Sequence, residues 1–136
     1  MPKTTGLDHV ATVTADLERV VAFYQDVFEA RVTFEMAATE SHPRMVILDL
    51  GASALNITEQ PAGTIVGDRT KPGGRGPIDH YGIRVATRAD LDFMRRRLLQ
   101  RGVDVGDVHS LGDTWSLFFR DPDGMELEVC APAKAE

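Results

Sequence analysis

Residues 7–17 read LDHVATVTADL, and residues 79–91 read DHYGIRVATRADL. In both stretches a histidine opens a strand-like run, and an Ala-Asp-Leu triplet follows it. The histidines, His9 and His80, lie 71 residues apart, and the triplets lie 74 residues apart. A segment that recurs at a nearly fixed spacing indicates an internal repeat, so the chain is predicted to consist of two similar modules.

Each copy of the repeat predicts one strand, one helix and three further strands. The first helix starts after Asp16, a suitable N-cap residue, and its apolar residues recur at helical spacing. The second starts near Thr87 and Asp90, which have capping-box spacing, and ends before Gly102. Runs rich in Val, Ile, Phe, Leu and Thr predict strands at residues 7–13, 31–37, 44–50 and 53–58, and again at residues 79–85, 103–110, 114–120 and 125–131.

This element order predicts the α+β class, with two βαβββ modules in one domain that spans residues 1–136. Residues 6–60 form the first predicted module and residues 78–131 the second. The loop that joins them, residues 61–77, is rich in Gly and Pro and lacks periodicity. Its length is typical of an active-site flap or a mobile joint, and a plain linker is an equal alternative.

The charge and the cysteine content exclude several functional classes. The 136 residues carry a formal net charge of −6, so we expect no binding to nucleic acid or to an anionic membrane surface. Cys130 is the single cysteine, which excludes an intrachain disulfide and is typical of a reducing compartment. No apolar run is long enough for a transmembrane helix or a signal peptide, so the expected location is cytoplasmic.

Strand alternation puts four chemically versatile residues at matching positions of the two modules. The face opposite the apolar face carries His9 and Asn56 in the first module and His80 and Glu128 in the second. Asn56 and Glu128 lie 72 residues apart, close to the spacing of the histidines. A single histidine or glutamate is more often structural or solvated, but the joint placement favours a ring of ligands in a shared cavity.

Two neutral imidazoles and one carboxylate form a suitable ligand set for a divalent metal. His9, His80 and Glu128 would leave open positions on the ion; this set suits non-haem Fe(II), the favoured ion, and also Mn(II), Ni(II) or Zn(II). A substrate can then bind through two neighbouring oxygens while the metal stabilises developing negative charge. The sequence therefore predicts a metal-dependent enzyme.

Three segments of the chain resemble the vicinal oxygen chelate superfamily. They are LDHVATVTADLERVVAFYQDVF (residues 7–28), IDHYGIRV (78–85) and FFRDPDGMELEV (118–129). This superfamily includes glyoxalase I, extradiol dioxygenases, methylmalonyl-CoA epimerase, fosfomycin-resistance transferases and bleomycin-binding proteins. The resemblance implies a U-shaped mixed sheet, formed by both modules around a metal cavity, and a homodimer whose sites take residues from both subunits.

The resemblance also implies roles for individual residues. His9, His80 and Glu128 match the metal ligands, which counts against a metal-free drug-binding protein. Asn56 matches the position where glyoxalase I has a fourth ligand, usually glutamate. An asparagine offers only a neutral carbonyl there, so the resemblance favours the three-ligand set of extradiol dioxygenases and fosfomycin transferases, with Asn56 as a substrate-binding residue.

The end of the chain resembles the extradiol dioxygenase pattern at all but one position. Phe118 stands where that pattern has a tyrosine, whose hydroxyl helps to bind and polarise the reacting oxygens. This task would fall to Tyr81, or to Tyr24, which lies on an apolar helix face and is expected in the core. The residues that match the pattern are His109, Leu117, Pro122, Gly124 and Glu128. The predicted catalytic residues are therefore Glu128, His109 and Tyr81.

Two further residues are candidates for substrate binding. Arg84 shares one side of its strand with His80 and is suited to clamp a substrate carboxylate; a structural ion pair with Asp49 or Glu126 is an equal alternative. Trp115 is a candidate pocket wall, although an aromatic residue in a strand more often belongs to the core.

These observations favour a divalent-metal-dependent enzyme that acts on a small oxygenated substrate, in first place an extradiol-type Fe(II) dioxygenase. One alternative is a glyoxalase- or epimerase-like isomerase or lyase, in which Glu128 serves as ligand and base. Another is a fosfomycin-type transferase. The non-enzymatic alternative is a protein of the same fold that sequesters a drug or metabolite without turnover.

Overall fold

The computed structural model describes Lys3, residues 7–75 and residues 78–133. The chain divides between Val66 and Gly67 into two compact units. Each unit contains one α-helix and a four-stranded mixed sheet, in the order strand, helix, strand, strand, strand. The predicted α+β class and the βαβββ pattern of both modules are therefore confirmed.

The sheet of the first unit has the strand order β1-β4-β3-β2. Strands β1 and β4 are parallel, and the other neighbours are antiparallel. A short 3₁₀ turn, Ala62–Thr64, follows the last strand. The elements are β1 (His9–Thr14), α1 (Leu17–Phe28), β2 (Arg31–Met36), β3 (Met45–Asp49) and β4 (Ala54–Glu59).

Helix α1 supplies most of the core of the first unit. The predicted N-cap is confirmed, because the Asp16 side chain accepts a hydrogen bond from the backbone N–H of Arg19. Tyr24 is fully buried and meets Phe23 edge-to-face at 5.1 Å between ring centroids, which confirms its predicted place in the core. The buried residues of the helix are Leu17, Val20, Phe23, Tyr24 and Val27.

The second unit repeats the arrangement in the order β5-β8-β7-β6, with β5 and β8 parallel. The predicted capping of its helix is confirmed, because Thr87 accepts from the backbone N–H of Asp90. Among the described residues, no helix is long and apolar enough to cross a membrane. The elements are β5 (Tyr81–Arg84), α2 (Arg88–Gln100), β6 (His109–Leu111), β7 (Thr114–Arg120) and β8 (Glu126–Pro132).

Strand β6 is shorter than the predicted strand over residues 103–110. The chain before it follows β7 through separate contacts: Val105 forms an isolated bridge with Phe119, and the Gly106 N–H donates to the Phe118 carbonyl. These contacts satisfy the backbone without the regular ladder of a strand. The prediction of one continuous strand was therefore wrong at its first six residues.

The predicted division of each strand into two faces is confirmed where it matters for the site. In β8, Leu127 and Val129 are buried, whereas Glu126, Glu128 and Cys130 are partly exposed. In β4, Leu55 and Ile57 are buried, and the alternate residues, Asn56 among them, are partly exposed. Both Asn56 and Glu128 thus lie on the face opposite the buried apolar side chains.

The loop that was predicted between the modules is fastened to the second unit along residues 67–75. The Asp68 N–H donates to the Gly74 carbonyl, and the Arg120 side chain donates to the Thr70 carbonyl. Gly67 has a φ of 94°, and a Cβ there would lie 2.5 Å from the Gly74 oxygen, so only glycine fits this turn. This part of the loop is a closed turn with contacts to the sheet.

Candidate metal centre

The candidate site of the second unit lies on the sheet face opposite the buried apolar side chains of β8. Glu128 on β8 pairs with Gly82 on parallel β5 and with Phe118 on antiparallel β7. Cross-strand partners point to the same face of a sheet. On this face Glu128 lies at the centre. Phe118 on β7 flanks it on one side, and His80, which immediately precedes β5, flanks it on the other.

Glu128 and His80 are in direct contact. The Nε2 atom of His80 lies 3.0 Å from Oε2 of Glu128. The other carboxylate oxygen, Oε1, accepts from the Ser116 hydroxyl at 2.6 Å and from the Cys130 thiol at 3.1 Å. These bonds fix the carboxylate plane and leave Oε2 directed at the imidazole.

The protonation of this pair follows from its surroundings. Burial alone would raise the pKa of Glu128, but the hydrogen bonds from Ser116, Cys130 and His80 outweigh it, and the pKa lies below its usual value. The hydrogen bond to Asp79 is the largest influence on His80, and its pKa is raised despite partial burial. Glu128 is therefore an anion near neutral pH.

Each histidine of the repeat is bonded to the aspartate that precedes it. Nδ1 of His80 lies 2.7 Å from Oδ2 of Asp79, and Nδ1 of His9 lies 2.8 Å from Oδ2 of Asp8. A carboxylate only accepts, so Nδ1 donates in both pairs, and Nε2 of His80 is a second donor, to Glu128. These aspartates, Asp8 and Asp79, were not predicted as site residues, although both precede their histidines at the spacing of the repeat.

The first unit repeats this register around Asn56. Ala11 of β1 pairs with Asn56 of β4, just as Gly82 of β5 pairs with Glu128 of β8. In each unit the histidine precedes the paired strand residue by two positions, so histidine and amide or carboxylate share one face. His9 and Asn56 thus occupy the places in their unit that correspond to His80 and Glu128.

These donors fit a divalent metal ion. Metal-bound histidines commonly donate their second ring N–H to a carboxylate, which fixes the ring and its tautomer. The structure brings His80 and Glu128 together and places His9, with the same bonding to aspartate, in the first unit. Among the described residues, no three or more His, Cys, Asp or Glu side chains gather as a metal-binding group.

Two aromatic rings border the His80–Glu128 pair. Phe118 meets the His80 ring edge-to-face at 5.2 Å and stacks on the His109 ring at 5.8 Å. Phe118 has no hydroxyl, so the group that extradiol dioxygenases place here is replaced by an apolar wall. His109 lies next to this wall, close to the side of the sheet that carries Glu128.

Two predicted site residues lie on the other face of the sheet. Tyr81 pairs with buried Leu127, and its hydroxyl oxygen is buried. Trp115 pairs with buried Ala131, and the Arg88 guanidinium of α2 lies 4.4 Å above its ring. The expectation that Tyr81 and Trp115 contact substrate beside Glu128 is corrected here, because strand alternation turns both side chains to the helix side.

Arg84 lies on the Glu128 face and is exposed. The structural ion pairs that were its alternative are formed by other arginines: Arg31 binds Asp49 and Arg75 binds Glu126, each at 2.7 Å. Among the described residues, Arg84 has neither carboxylate as a partner. Its guanidinium is thus available for an anionic group of a ligand.

Cys130 and Ser116 complete the surroundings of Glu128. Burial and the neighbouring Glu128 carboxylate raise the pKa of the Cys130 thiol to about 12, so Cys130 is a thiol that donates rather than a nucleophilic thiolate. Ser116 is fully buried and was missed by the sequence analysis. A polar residue alternating with Trp115 and Leu117 was the available signal, because it had to share a face with Phe118.

Comparison with known proteins places the chain in a family. Metallothiol transferase FosB from Bacillus licheniformis is 26% identical over 129 residues, which cover 93% of this chain and 75% of that protein. A glyoxylase/bleomycin resistance protein/dioxygenase domain from Frankia sp. EAN1pec is similar in structure, with a TM-score of 0.81 and 23% identity, over 96% of this chain and 99% of that chain.

A further solved structure shows a bound metal in a similar fold. A mutant of the fosfomycin resistance protein FosX from Listeria monocytogenes, complexed with Mn(II) and 1S,2S-dihydroxypropylphosphonic acid, has a TM-score of 0.73 and 20% identity, over 97% of this chain and 94% of that chain. The family profile itself matches residues 6–129. The chain therefore belongs to the Glyoxalase/Bleomycin resistance protein/Dioxygenase superfamily.

Proposed function

We propose that the protein is a divalent-metal-dependent enzyme that acts on a small oxygenated molecule, with the ion bound by His9, His80 and Glu128. The observation that supports this most is the repeated Asp–His pair. In both units Nδ1 is bonded to an aspartate carboxylate, which directs Nε2 towards another partner, and in the second unit that partner is the anionic Glu128. When bound, the ion would polarise a substrate oxygen and stabilise negative charge that develops there.

The choice of ion and the assembly are part of this proposal. The donor set of two imidazoles and one carboxylate suits Mn(II), Fe(II), Ni(II) and Zn(II). Mn(II) is the first ion to test, because a FosX structure of the same fold contains it. The site is proposed to be completed in a homodimer, in which ligands come from both subunits, as the superfamily resemblance implies.

Addition of a nucleophile to a small anionic substrate is the reaction that the residues favour. Arg84 offers a guanidinium on the Glu128 face for a phosphonate or carboxylate. Asn56 offers a neutral amide in place of a fourth charged ligand, and Phe118 excludes water from one side of His80. A fosfomycin-type transferase or hydrolase, related in activity to metallothiol transferase FosB, is therefore the first candidate.

An extradiol-type dioxygenase is the second candidate, and His109 is the observation that favours it. Its ring stacks on Phe118 beside the His80–Glu128 pair, where it could exchange a proton with a substrate hydroxyl. The missing tyrosine hydroxyl counts against it. An isomerase or lyase that uses Glu128 as base is less favoured, because a carboxylate with a lowered pKa and three hydrogen-bond partners is a weak base.

Metal binding tests the proposal before any substrate is known. The full-length protein, stripped of metal, would be titrated with Mn(II) by calorimetry, beside His80→Ala and, as a matched control in the first unit, Asn56→Ala. We expect His80→Ala to weaken binding by roughly 100-fold or more and Asn56→Ala by less than about threefold. Wild-type protein that binds Mn(II) no more tightly than His80→Ala would contradict the proposal.

Turnover then separates the candidate reactions. Protein loaded with Mn(II) would be incubated with fosfomycin and either a thiol or water, and the phosphonate followed by ³¹P NMR. Protein loaded with Fe(II) would be tested for oxygen consumption with catechols. Binding of these compounds without any turnover would instead support the sequestering protein.

A further inference from the structure

A buried arginine connects the loop of the second unit to Asp79 and Glu126, the first next to His80 in the chain and the second two positions before Glu128. The Arg75 side chain is only 1% exposed. One nitrogen, Nη1, donates to Oδ1 of Asp79 at 2.7 Å and to the Asp79 carbonyl at 3.0 Å. The other, Nη2, donates to Oε2 of Glu126 at 2.7 Å.

The contacts of Arg75 divide the Asp79 carboxylate between two partners. Oδ1 binds Arg75, and Oδ2 binds Nδ1 of His80. The Asp79 side chain is otherwise 57% exposed, so water would compete for both oxygens if Arg75 were absent. The guanidinium fork fixes the carboxylate plane and so keeps Oδ2 directed at the imidazole.

Arg75 also connects the two strands that carry the pair. Asp79 and His80 immediately precede β5, and Glu126 lies two positions before Glu128 on the same face of β8. Its Nε donates to the Arg69 carbonyl at 2.6 Å, which fixes the guanidinium from the side of the loop. A displacement of the loop would therefore move Asp79 and Glu126 together.

We infer that Arg75 is a positioning residue for the candidate metal centre. Through Asp79 it fixes the orientation of the His80 ring and favours a proton on Nδ1 over one on Nε2, which faces Glu128. Through Glu126 it fixes the spacing between His80 and Glu128. The inference rests on the proposed function for its purpose, but the tautomer that it predicts is a property of the metal-free protein. It also explains why residues 67–75 are fastened to the second unit.

The test compares Arg75→Gln with two matched variants of the full-length protein. Arg75→Lys retains a positive charge but loses the planar fork. Arg69→Gln perturbs the same loop through its ion pair with Asp123 and leaves Asp79 untouched. Circular dichroism and thermal unfolding report whether each variant is folded.

The first readout is the tautomer of His80, measured by ¹⁵N NMR of the histidine rings in metal-free protein at alkaline pH, where the ring is neutral. We expect mainly the Nδ1–H form in the wild type and in Arg69→Gln, because the contact of Nδ1 with Asp79 is shorter than that of Nε2 with Glu128, 2.7 Å against 3.0 Å. We expect a larger share of the Nε2–H form in Arg75→Gln and an intermediate share in Arg75→Lys. The second readout is the dissociation constant for Mn(II), which we expect to rise about tenfold in Arg75→Gln.

Each outcome decides the inference. An unchanged tautomer in Arg75→Gln, or an equal change in Arg69→Gln, would overturn it, because the arginine would then act only as an anchor of the loop. If Arg75→Gln does not fold, a wild-type tautomer in Arg75→Lys would overturn it in the same way. If the wild type binds no Mn(II) but Arg75→Gln still shows the expected change in tautomer, the inference is supported and the proposed function fails.

Discussion

The two Asp–His pairs have the same bond but different surroundings. Nδ1 lies 2.8 Å from the aspartate oxygen in the first unit and 2.7 Å in the second. The Asp8 side chain is 96% exposed and that of His9 is 43% exposed, whereas Asp79 is bound by buried Arg75 and His80 is 31% exposed. The described residues include no arginine that binds Asp8 in the same way.

The residues at the corresponding position of β4 and β8, Asn56 and Glu128, differ as well. The first unit has the neutral amide of Asn56 where the second has the carboxylate of Glu128. The carboxylate is further fixed by two donors on one of its oxygens. The comparison indicates that both repeats orient a histidine, but among the described residues only the second has a network that fixes a histidine and a carboxylate together.

The helices differ in the opposite sense. Helix α1 buries five residues, including Phe23 and Tyr24, whereas α2 buries only Leu91 and Leu98. Phe93 of α2 is 45% exposed and has the Arg97 guanidinium 5.0 Å above its ring. The helix of the first unit is thus the more strongly packed of the two.

The largest expected effect comes from a substitution that disrupts the packing of α1. Phe23→Ala removes a fully buried ring and is expected to lower the free energy of unfolding by about 3–5 kcal/mol. The matched change in the second unit, Phe93→Ala, should lower it by less than about 1 kcal/mol, since that ring is half exposed. Urea denaturation followed by circular dichroism measures both. Equal losses would show that the exposed face of α2 is buried in the protein as it exists in solution.

The fold was predictable because its signals are local or periodic. The N-caps at Asp16 and Thr87 and the alternation around Glu128 each depend on a few neighbouring residues, and the repeat confirmed each element twice. Strand β6 was predicted too long because its neighbours, among them Gly106, are paired with β7 through irregular long-range bonds. Such bonds leave no period in the sequence.

The site was predictable only in part, for a related reason. Alternation correctly put His80 and Glu128 on one face, and the metal-ligand role of the set stays a prediction. Arg75 was missed because it lies in a Gly- and Pro-rich loop and its partner Glu126 is 51 residues away. Ser116 was missed because a small polar residue inside an apolar strand shows no partner until the register is known.

The next effect in size compares the two aspartates. Asp79→Asn removes the negative charge and leaves a single acceptor oxygen where Arg75 and His80 now have one each. It should weaken Mn(II) binding by about 10–100-fold, or roughly 1.4–2.7 kcal/mol. Asp8→Asn should weaken it by only about threefold, because the exposed Asp8 carboxylate shares its hydrogen bonding with water. Calorimetric titration of both variants measures the difference. Equal losses would contradict the claim that only the second pair is preorganised.

The pH dependence of binding gives a second readout on Asp79. A proton and a metal ion compete for Nε2 of His80, so wild-type affinity should fall as the pH drops through the pKa of His80. That pKa is raised, with the Asp79 hydrogen bond as the largest cause. In Asp79→Asn the pKa should fall, and the loss of binding should therefore shift to lower pH. If the pH dependence of Mn(II) affinity is unchanged in Asp79→Asn, protonation of His80 does not control metal binding.

The smallest expected effect comes from giving Asn56 the same residue type as Glu128. Asn56→Glu places a carboxylate in the first unit where the second has Glu128, and it should add a charged ligand to the proposed three-ligand site. We expect Mn(II) to bind about tenfold more tightly, or roughly 1.4 kcal/mol, while turnover falls because an open position for substrate is lost. Asn56→Gln, which keeps a neutral amide, is the control. If Asn56→Glu leaves the affinity at the level of Asn56→Gln, Asn56 lies outside the reach of the metal. Asn56 and Glu128 would then correspond only in their backbone register.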